Sequence, residues 1–445
     1  MIRILVFVLL GIFSVITNAK TAAVFEGTLS NGLKVFIKED HRAPVAIVQV
    51  WYKVGSSYEL TGSTGISHFL EHMMFRGTKK YEHGVIHAII VENGGFHNAF
   101  TSKDFTCYYA MLPSDKLNIM FDLEADRMRG LLLNDKGFNE EMQVVMEERK
   151  MMLEDLPENQ VFERFMAAAY ASNPYRTPII GWMHDIQNLT VTDLKKWYQN
   201  WYAPNNAILV VVGDVEPKKV LRMVKQYFGK LQSSKLAEVK PQKEISSLGK
   251  RNLVINVPAK VPVIFLGYNV PSLQTVEQKW KAYTLDVIRA ILSIDSSSRL
   301  PKELVRQQQV ATSVGAYYDL YSRLDNLFFF RANPAIKHTI QDLETALLNE
   351  VKRLQTVLVN EKELQGVKNQ IISREMYKRD SIVDQAMEIG SLAAVGLPWQ
   401  TVDSYIENIK AITPQQIRAV AKEYLTIDRL TVAELQPQPI FKKKN

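Results

Sequence analysis

The sequence predicts an α+β fold built from two similar halves, and three observations carry that prediction. Runs rich in β-branched and aromatic residues alternate with segments of helical spacing. A polar, lysine-rich stretch, Gln232 to Lys250, interrupts the chain near its middle. Beyond it the order of strand and helix signals returns. A chain of 445 residues also exceeds one ordinary core, which fits two or more domains.

The first segment is of a different kind. Arg3 precedes an apolar run from Ile4 to Ile16, followed by Thr17, Asn18 and Ala19. A basic start, a 13-residue apolar run and small residues before a cut after Ala19 describe a cleavable leader, residues 1–19. The run falls short of the roughly 20 residues that span a bilayer. Retention as an anchor is the alternative. No second such run follows, so the expected product is a soluble periplasmic protein starting at Lys20, with no transmembrane segment in the mature chain.

The first half, residues 20–231, opens with a short strand, Leu33 to Ile37, after the turn signal Asn31-Gly32. Val45 to Val54 is a longer strand. Thr64 to Phe75 reads as a helix, capped by Ser63 or Thr64 and closed by Gly77. Phe100 to Leu112 returns to strand character, and Lys116 to Leu132 is helical. Asn139 is a candidate cap for a helix running towards Leu153, and Thr192 for one from Asp193 to Trp201. The run Ala207 to Asp214 is a buried strand. The stretch 232–250 is the linker, and 251–445 the second half. There Val261 to Tyr268 corresponds to the early strand and Ala282 to Leu292 to the first helix. Leu327 to Ala332 and Thr339 to Leu354 supply the next strand and helix. Thr413-Pro414 starts a helix as Thr192 does, 221 residues earlier, and Leu430 to Val432 is the last strand. Halves of this kind would face each other across a cleft.

Composition narrows the function. Hydrophobic residues make up 47% and charged residues 23%, which describes a folded protein. The net charge of +7 is modest and lies partly in the tail Lys442 to Lys444. No arginine-rich helix or basic-aromatic stripe argues for nucleic acid. Cys107 is the single cysteine, so no internal disulfide forms, and its strand-like setting marks a buried apolar residue.

The chemistry lies in His68-Phe69-Leu70-Glu71-His72. His68 and His72 stand four apart on a helix, one above the other, which suits one zinc ion. Glu71 points to the same side and can take a proton from a metal-activated water. With 8 histidines and 47 acidic residues, a chance match arises in about one chain in a hundred. A catalytic zinc needs a third ligand, and the next helix offers Glu140, Glu141, Glu147 and Glu148. Glu141 and Glu148 share a face but lie about 10 Å apart along the axis, so one ligates and the other supports. Spacing does not choose between Glu147 and Glu148. His83 and His87 repeat the i,i+4 spacing without an acid between them and read as surface residues.

Around this motif the sequence resembles the pitrilysin/insulinase family of zinc peptidases, in the branch of the mitochondrial processing peptidase and its bacterial relatives. The resemblance rests on Gly65 to Thr78, Gly94 to Thr101, Glu141 to Glu148, Asn173-Pro174-Tyr175 and Val212-Gly213-Asp214. It implies two homologous α/β-roll halves, each an antiparallel sheet packed with helices, forming a clam-like chamber. It implies one zinc per chain, held by His68, His72 and Glu148 in the first half. Glu71 would be the general base and Glu141 the supporting glutamate. Asn98, Ala99 and Thr101 fall where the family's edge strand pairs with bound peptide. The second half resembles a degenerate copy, without a His-x-x-Glu-His.

The expected activity is a zinc-dependent endopeptidase or oligopeptidase. The rival readings are a non-catalytic core subunit and a peptide-binding module of the same fold. One departure concerns partners. Active relatives carry an Arg and a Tyr seven residues apart in the second half, suited to a developing oxyanion. Here those positions fall on Val305 and Thr312, or, slipped by one, on Arg306 and Ser313. The resemblance then implies the metal-bearing subunit of a heterodimer whose homologous partner supplies Arg and Tyr; the alternative is a homodimer or monomer with weakened or differently built catalysis.

Overall fold

The protein is described by a computed structural model covering residues 23–439 apart from 241, 246 and 247. The leader call, residues 1–19, and the lysine tail lie outside the described residues. Six strands form the first sheet: β1 Phe25–Thr28, β2 Lys34–Glu39, β3 Val45–Tyr52, β4 Phe96–Thr101, β5 Thr106–Pro113 and β6 Ala207–Gly213. Five form the second: β7 Arg251–Pro258, β8 Val263–Val270, β9 Ala311–Tyr317, β10 Asn326–Pro334 and β11 Leu430–Gln438. The orders are β1-β2-β6-β3-β5-β4 and β7-β11-β8-β10-β9. Strands β2 and β6 run parallel, as do β7 and β11, and the other pairs are antiparallel. The second sheet thus repeats the first strand for strand, with β1 as the extra element. The predicted α+β fold of two like halves is the observed one.

Central strands β6 and β8 are buried at every residue. Such unbroken apolar runs need cover on both faces, and the two halves provide it for each other. The helix Pro157–Ala169, encoded in the first half, lies on the second sheet. Its Val161, Phe165 and Ala169 meet Val263, Phe265, Ala433 and Leu435. The helix Ile382–Ala394, encoded in the second half, lies on the first sheet. Its Ala386, Ile389 and Ala394 meet Phe36, Ile47, Trp51, Ile208, Val210 and Val212. Each large apolar side chain buried this way contributes about 1.5–3 kcal/mol. The other face of each sheet packs on helices of its own half.

Several boundaries differ from the sequence reading. The stretch Phe100 to Leu112 is not one strand: β4 and β5 form a hairpin turning at residues 102–105. The helix expected from Asn139 runs over Asp135–Arg149 and is capped by Asn134, whose side chain accepts from the Gly137 N–H at 2.8 Å. The Gly137 N–H is one of the free donors of the first turn that this cap satisfies. The helix expected from Thr192 starts two residues earlier: Thr190 and Asp193 form a reciprocal capping box. Thr413 caps its helix as expected, so the matching caps stand 223 residues apart, Thr190 to Thr413. Between 232 and 250 the described residues form no helix or strand.

Candidate metal centre

The helix Ile66–Met73 carries the motif, and its apolar face fixes it. Ile66, Phe69, Leu70 and Met73 are buried in the first core, and Phe69 packs on Phe138 of Asp135–Arg149, ring centres 4.9 Å apart. The start differs from the expected side-chain cap. Gly65 adopts φ +86°, and a side chain there would meet the Ile180 carbonyl at 2.4 Å. The carboxylate of Glu59 accepts from Gly65 N at 2.7 Å and Ser67 N at 2.8 Å. Its charge suits a helix N-terminus, while burial pushes its carboxyl up to about 7. Thr64 instead donates to Asp185 at 2.7 Å.

This packing leaves His68, Glu71 and His72 on the face towards Asp135–Arg149 and β4. His72 Nε2 lies 3.2 Å and His68 Nε2 3.7 Å from Glu148 Oε2. Ligand atoms of the three residues all fall within 4.8 Å of one another. Zinc bonds of about 2.0–2.2 Å in tetrahedral geometry separate ligand atoms by roughly 3.3–3.5 Å, so the donor set fits that ion. Glu148 Oε2 is buried between the two imidazoles, facing Nε2 of each. Burial, then the neighbouring His72 charge, pulls His68 down to about 4. Burial also opposes charge on His72, but its hydrogen bonds to Glu141 and Glu148 outweigh this and raise it to about 9.

The glutamates separate clearly. Glu148 faces the histidines, and its contact with His72 holds it below the usual carboxylate range. Glu147 points to solvent, 3.4 Å from Lys150 Nζ. Glu141 receives His72 Nδ1 at 3.0 Å and is lowered by that bond. Glu140 pairs with Arg76. His83 and His87 are exposed, as read from sequence, and His87 Nδ1 meets His97 Nε2 at 3.0 Å.

Glu71 lies in the wall of a cavity of about 560 Å³ that it shares with His68, Glu148, Ala99 and Thr101. Burial raises its carboxyl, against the hydrogen bond that Thr101 Oγ1 donates to Oε2 at 2.6 Å. The outer side of β4 has no neighbouring strand. There the Ala99 N–H donates to the side chain of Asn98 at 2.8 Å, a temporary partner on an open edge. Sequence reasoning did not find the clasp of Thr101 on Glu71, nor Glu59 at the helix start. Helical spacing relates residues within one helix and is silent about what a strand brings to it.

Comparisons with known proteins agree on one lineage. The family model described as Insulinase (Peptidase family M16) matches residues 34–182, and the one described as Peptidase M16 inactive domain matches residues 188–371. The zinc protease PqqE of Helicobacter pylori is 35% identical over 333 residues, 73% of this chain and 74% of that protein. A probable mitochondrial-processing peptidase subunit beta of Arabidopsis thaliana is 25% identical over 424 residues, 92% of this chain and 78% of that protein. The crystal structure of a protease from Helicobacter pylori superposes with a TM-score of 0.88 at 30% identity, over 94% of this chain and all, 100%, of that one. The periplasmic protease PqqL from Escherichia coli gives 0.78 at 22% identity, over 93% of this chain and 48% of that one, a likeness of fold.

Proposed function

This chain belongs to the insulinase family of peptidases, M16, and from that premise we propose that it is a zinc-dependent endopeptidase or oligopeptidase cleaving extended peptides. The observation that carries the reading is the convergence of His68, His72 and Glu148 beside a buried Glu71 in one cavity. Relatives named as zinc proteases support it. A zinc ion held by His68, His72 and Glu148 would acidify water and polarise the scissile carbonyl. The peptide adds as a strand to the open edge of β4, taking the Ala99 N–H from Asn98. Glu71, held by Thr101 and made more basic by burial, takes a proton from the attacking water and passes it to the leaving nitrogen. Glu141 holds the Nδ1–H of His72, which turns Nε2 towards the metal site. The second half, matched by the inactive-domain model, serves as scaffold. We assign residues 20–231 to the catalytic half, 232–250 to the linker and 251–445 to the scaffold half.

The test is peptide digestion by purified protein. Glu71→Gln is expected to keep its zinc and lose hydrolysis by at least about a hundredfold, the scale of general-base catalysis. Equal activity in the variant removes Glu71 as the base, whereas a zinc-loaded wild type that cleaves no peptide favours a non-catalytic role.

The reading extends to a partner and a place. Among the described residues, the cavity beside the metal site is lined only by positions between 68 and 180. Val305 packs into the second core, Thr312 and Ser313 bond to Asn333, and Arg306 is exposed. A homologous subunit supplying Arg and Tyr would complete the site, in keeping with the double-length chain of PqqL. Full activity of the chain alone, unchanged by a co-expressed homologue, would exclude this arrangement. Export with cleavage after Ala19 is part of the same reading. No helix among the described residues is long and apolar enough to cross a membrane.

A further inference from the structure

The turn between β4 and β5 holds a lysine that the mechanism above does not use. Lys103 lines the same cavity as His68, Glu71 and Glu148. Its Nζ stands 4.8 Å from the ring centre of Tyr175 and 5.9 Å from that of Tyr170. Among the described residues the ammonium has these ring faces but no hydrogen bond or ion pair of its own.

The nearby acids are committed elsewhere. Asp104, its neighbour in the chain, accepts from Ser57 Oγ at 2.9 Å, from Arg323 N and Nε at 3.1 Å, and from the Tyr175 hydroxyl. Asp104, and Asp319 after it, act on Lys103 through charge at a distance, and neither bonds its ammonium. Within the cavity, Glu163 pairs with Arg149 at 2.9 Å, Glu71 holds Thr101, and Glu148 faces the histidines. The cavity's other cation, Arg176, donates to the Ala171 carbonyl at 3.3 Å. Neither cation has an ion pair among the described residues, but Arg176 is exposed to water, so Lys103 is the enclosed charge of the cavity that nothing bonds. Burial brings its amine down to about 8, so it keeps its proton at neutral pH. A charge held among aromatic walls without a bonded ion-pair partner costs folding energy unless something completes it.

We infer that Lys103 is a specificity residue that receives a carboxylate of the peptide substrate. The acceptor is an Asp or Glu side chain, or the peptide's terminal carboxylate. Thr101 bonds the proposed base, and Lys103 follows two residues later. At about 3.3 Å per extended residue, plus the reach of a lysine, the carboxylate lies within about three residues of the cleaved bond. The inference rests on the peptidase reading, which it narrows to acidic peptides.

The experiment uses the full chain and four matched peptides. They share one sequence, carry Asp or Asn beside the cleaved bond, and end in a free acid or an amide. The wild type is expected to favour one carboxylate by about tenfold or more in kcat/KM, mostly through KM, the scale of a charge-assisted contact. Which pair differs, Asp against Asn or acid against amide, identifies the source. Lys103→Met is expected to bring that ratio close to one, and Lys103→Arg to keep most of it. Equal rates on all four peptides by the wild type overturn the inference while leaving the peptidase reading intact. So does a Lys103→Met variant that slows every peptide by one factor and keeps the ratio, as a merely structural lysine would. A wild type that cleaves none of the peptides, with or without its homologue, overturns the peptidase reading and this inference with it.

Discussion

Glu147 and Glu148 are neighbours in the chain and face different media. Successive residues on a helix point about 100° apart, so one side chain reaches the histidines and the other reaches water and Lys150. The difference predicts unequal effects from the same chemical change. Glu148→Gln removes an anionic donor between His68 and His72 and is expected to strip zinc from the purified protein, and hydrolysis with it. Glu147→Gln removes an exposed ion pair worth about 0–1 kcal/mol and is expected to keep both. Metal analysis of the two variants checks the assignment, and zinc lost from Glu147→Gln but kept in Glu148→Gln would reverse it. The same residues mark where sequence stops. Spacing placed His68, Glu71 and His72 on one helix face, but a pair of adjacent glutamates on a second helix is resolved only once the two helices are packed.

Elements show a similar division. The strands and helices of each half follow from alternation and periodicity, and the repeated strand order was visible as recurring signals. The exchange of helices between the halves was not. A helical period says that one face is apolar, and both Pro157–Ala169 and Ile382–Ala394 have such a face, but it does not say which sheet will cover it. Thr413 is the cap that its sequence setting suggested, whereas the cap expected at Thr192 is at Thr190. Only Thr190 stands three residues before Asp193, the spacing of a reciprocal box, and the helix starts there. The exchanged helix Ile382–Ala394 supplies its own test. Gly390 lies against the indole of Trp51, and a side chain there would stand 2.2 Å from the ring. Trp51 is fully buried and its Nε1 donates to Gln49 at 2.9 Å, so it has little room to yield. Gly390→Ala is expected to destabilise by about 1–3 kcal/mol through overpacking, read as a lower denaturant midpoint, with zinc content unchanged in the folded protein. A midpoint equal to that of the wild type would show that the helix shifts freely on the sheet.

At the scale of the whole molecule, polar contacts add to the exchanged helices in joining the halves, and two of them can be tested. Arg323, from the second half, reaches Asp104 in the turn that carries Lys103 and Ser57 in the segment after β3, and its guanidinium lies 4.3 Å over the Tyr58 ring. Removing it leaves Asp104 buried and short of its cation. Arg323→Leu is expected to cost about 3–5 kcal/mol and to lower hydrolysis without releasing zinc, measured by unfolding and by metal content. The scaffold half would thereby act on catalysis without touching the metal. The second contact lies on the opposite flank, where Arg42 donates to Asp40 at 2.8 Å and to Asp380 at 3.3 Å, and Gln385 donates to Asp40 at 3.0 Å. The Arg42 hydrogen bond holds the Asp40 carboxyl down at about 2, against an ordinary value of 3.8. A depressed carboxyl binds its proton more weakly in the folded state than in the unfolded one. Its stabilising contribution is therefore complete above pH 3.8 and is lost as pH falls through about 2. Asp40→Asn lacks that charge at every pH. The wild type is thus expected to melt above the variant near neutrality, and the gap between them to close steadily as pH is lowered from 4 towards 2. A gap that stays constant over that range would mean that the carboxylate contributes packing rather than charge to the junction.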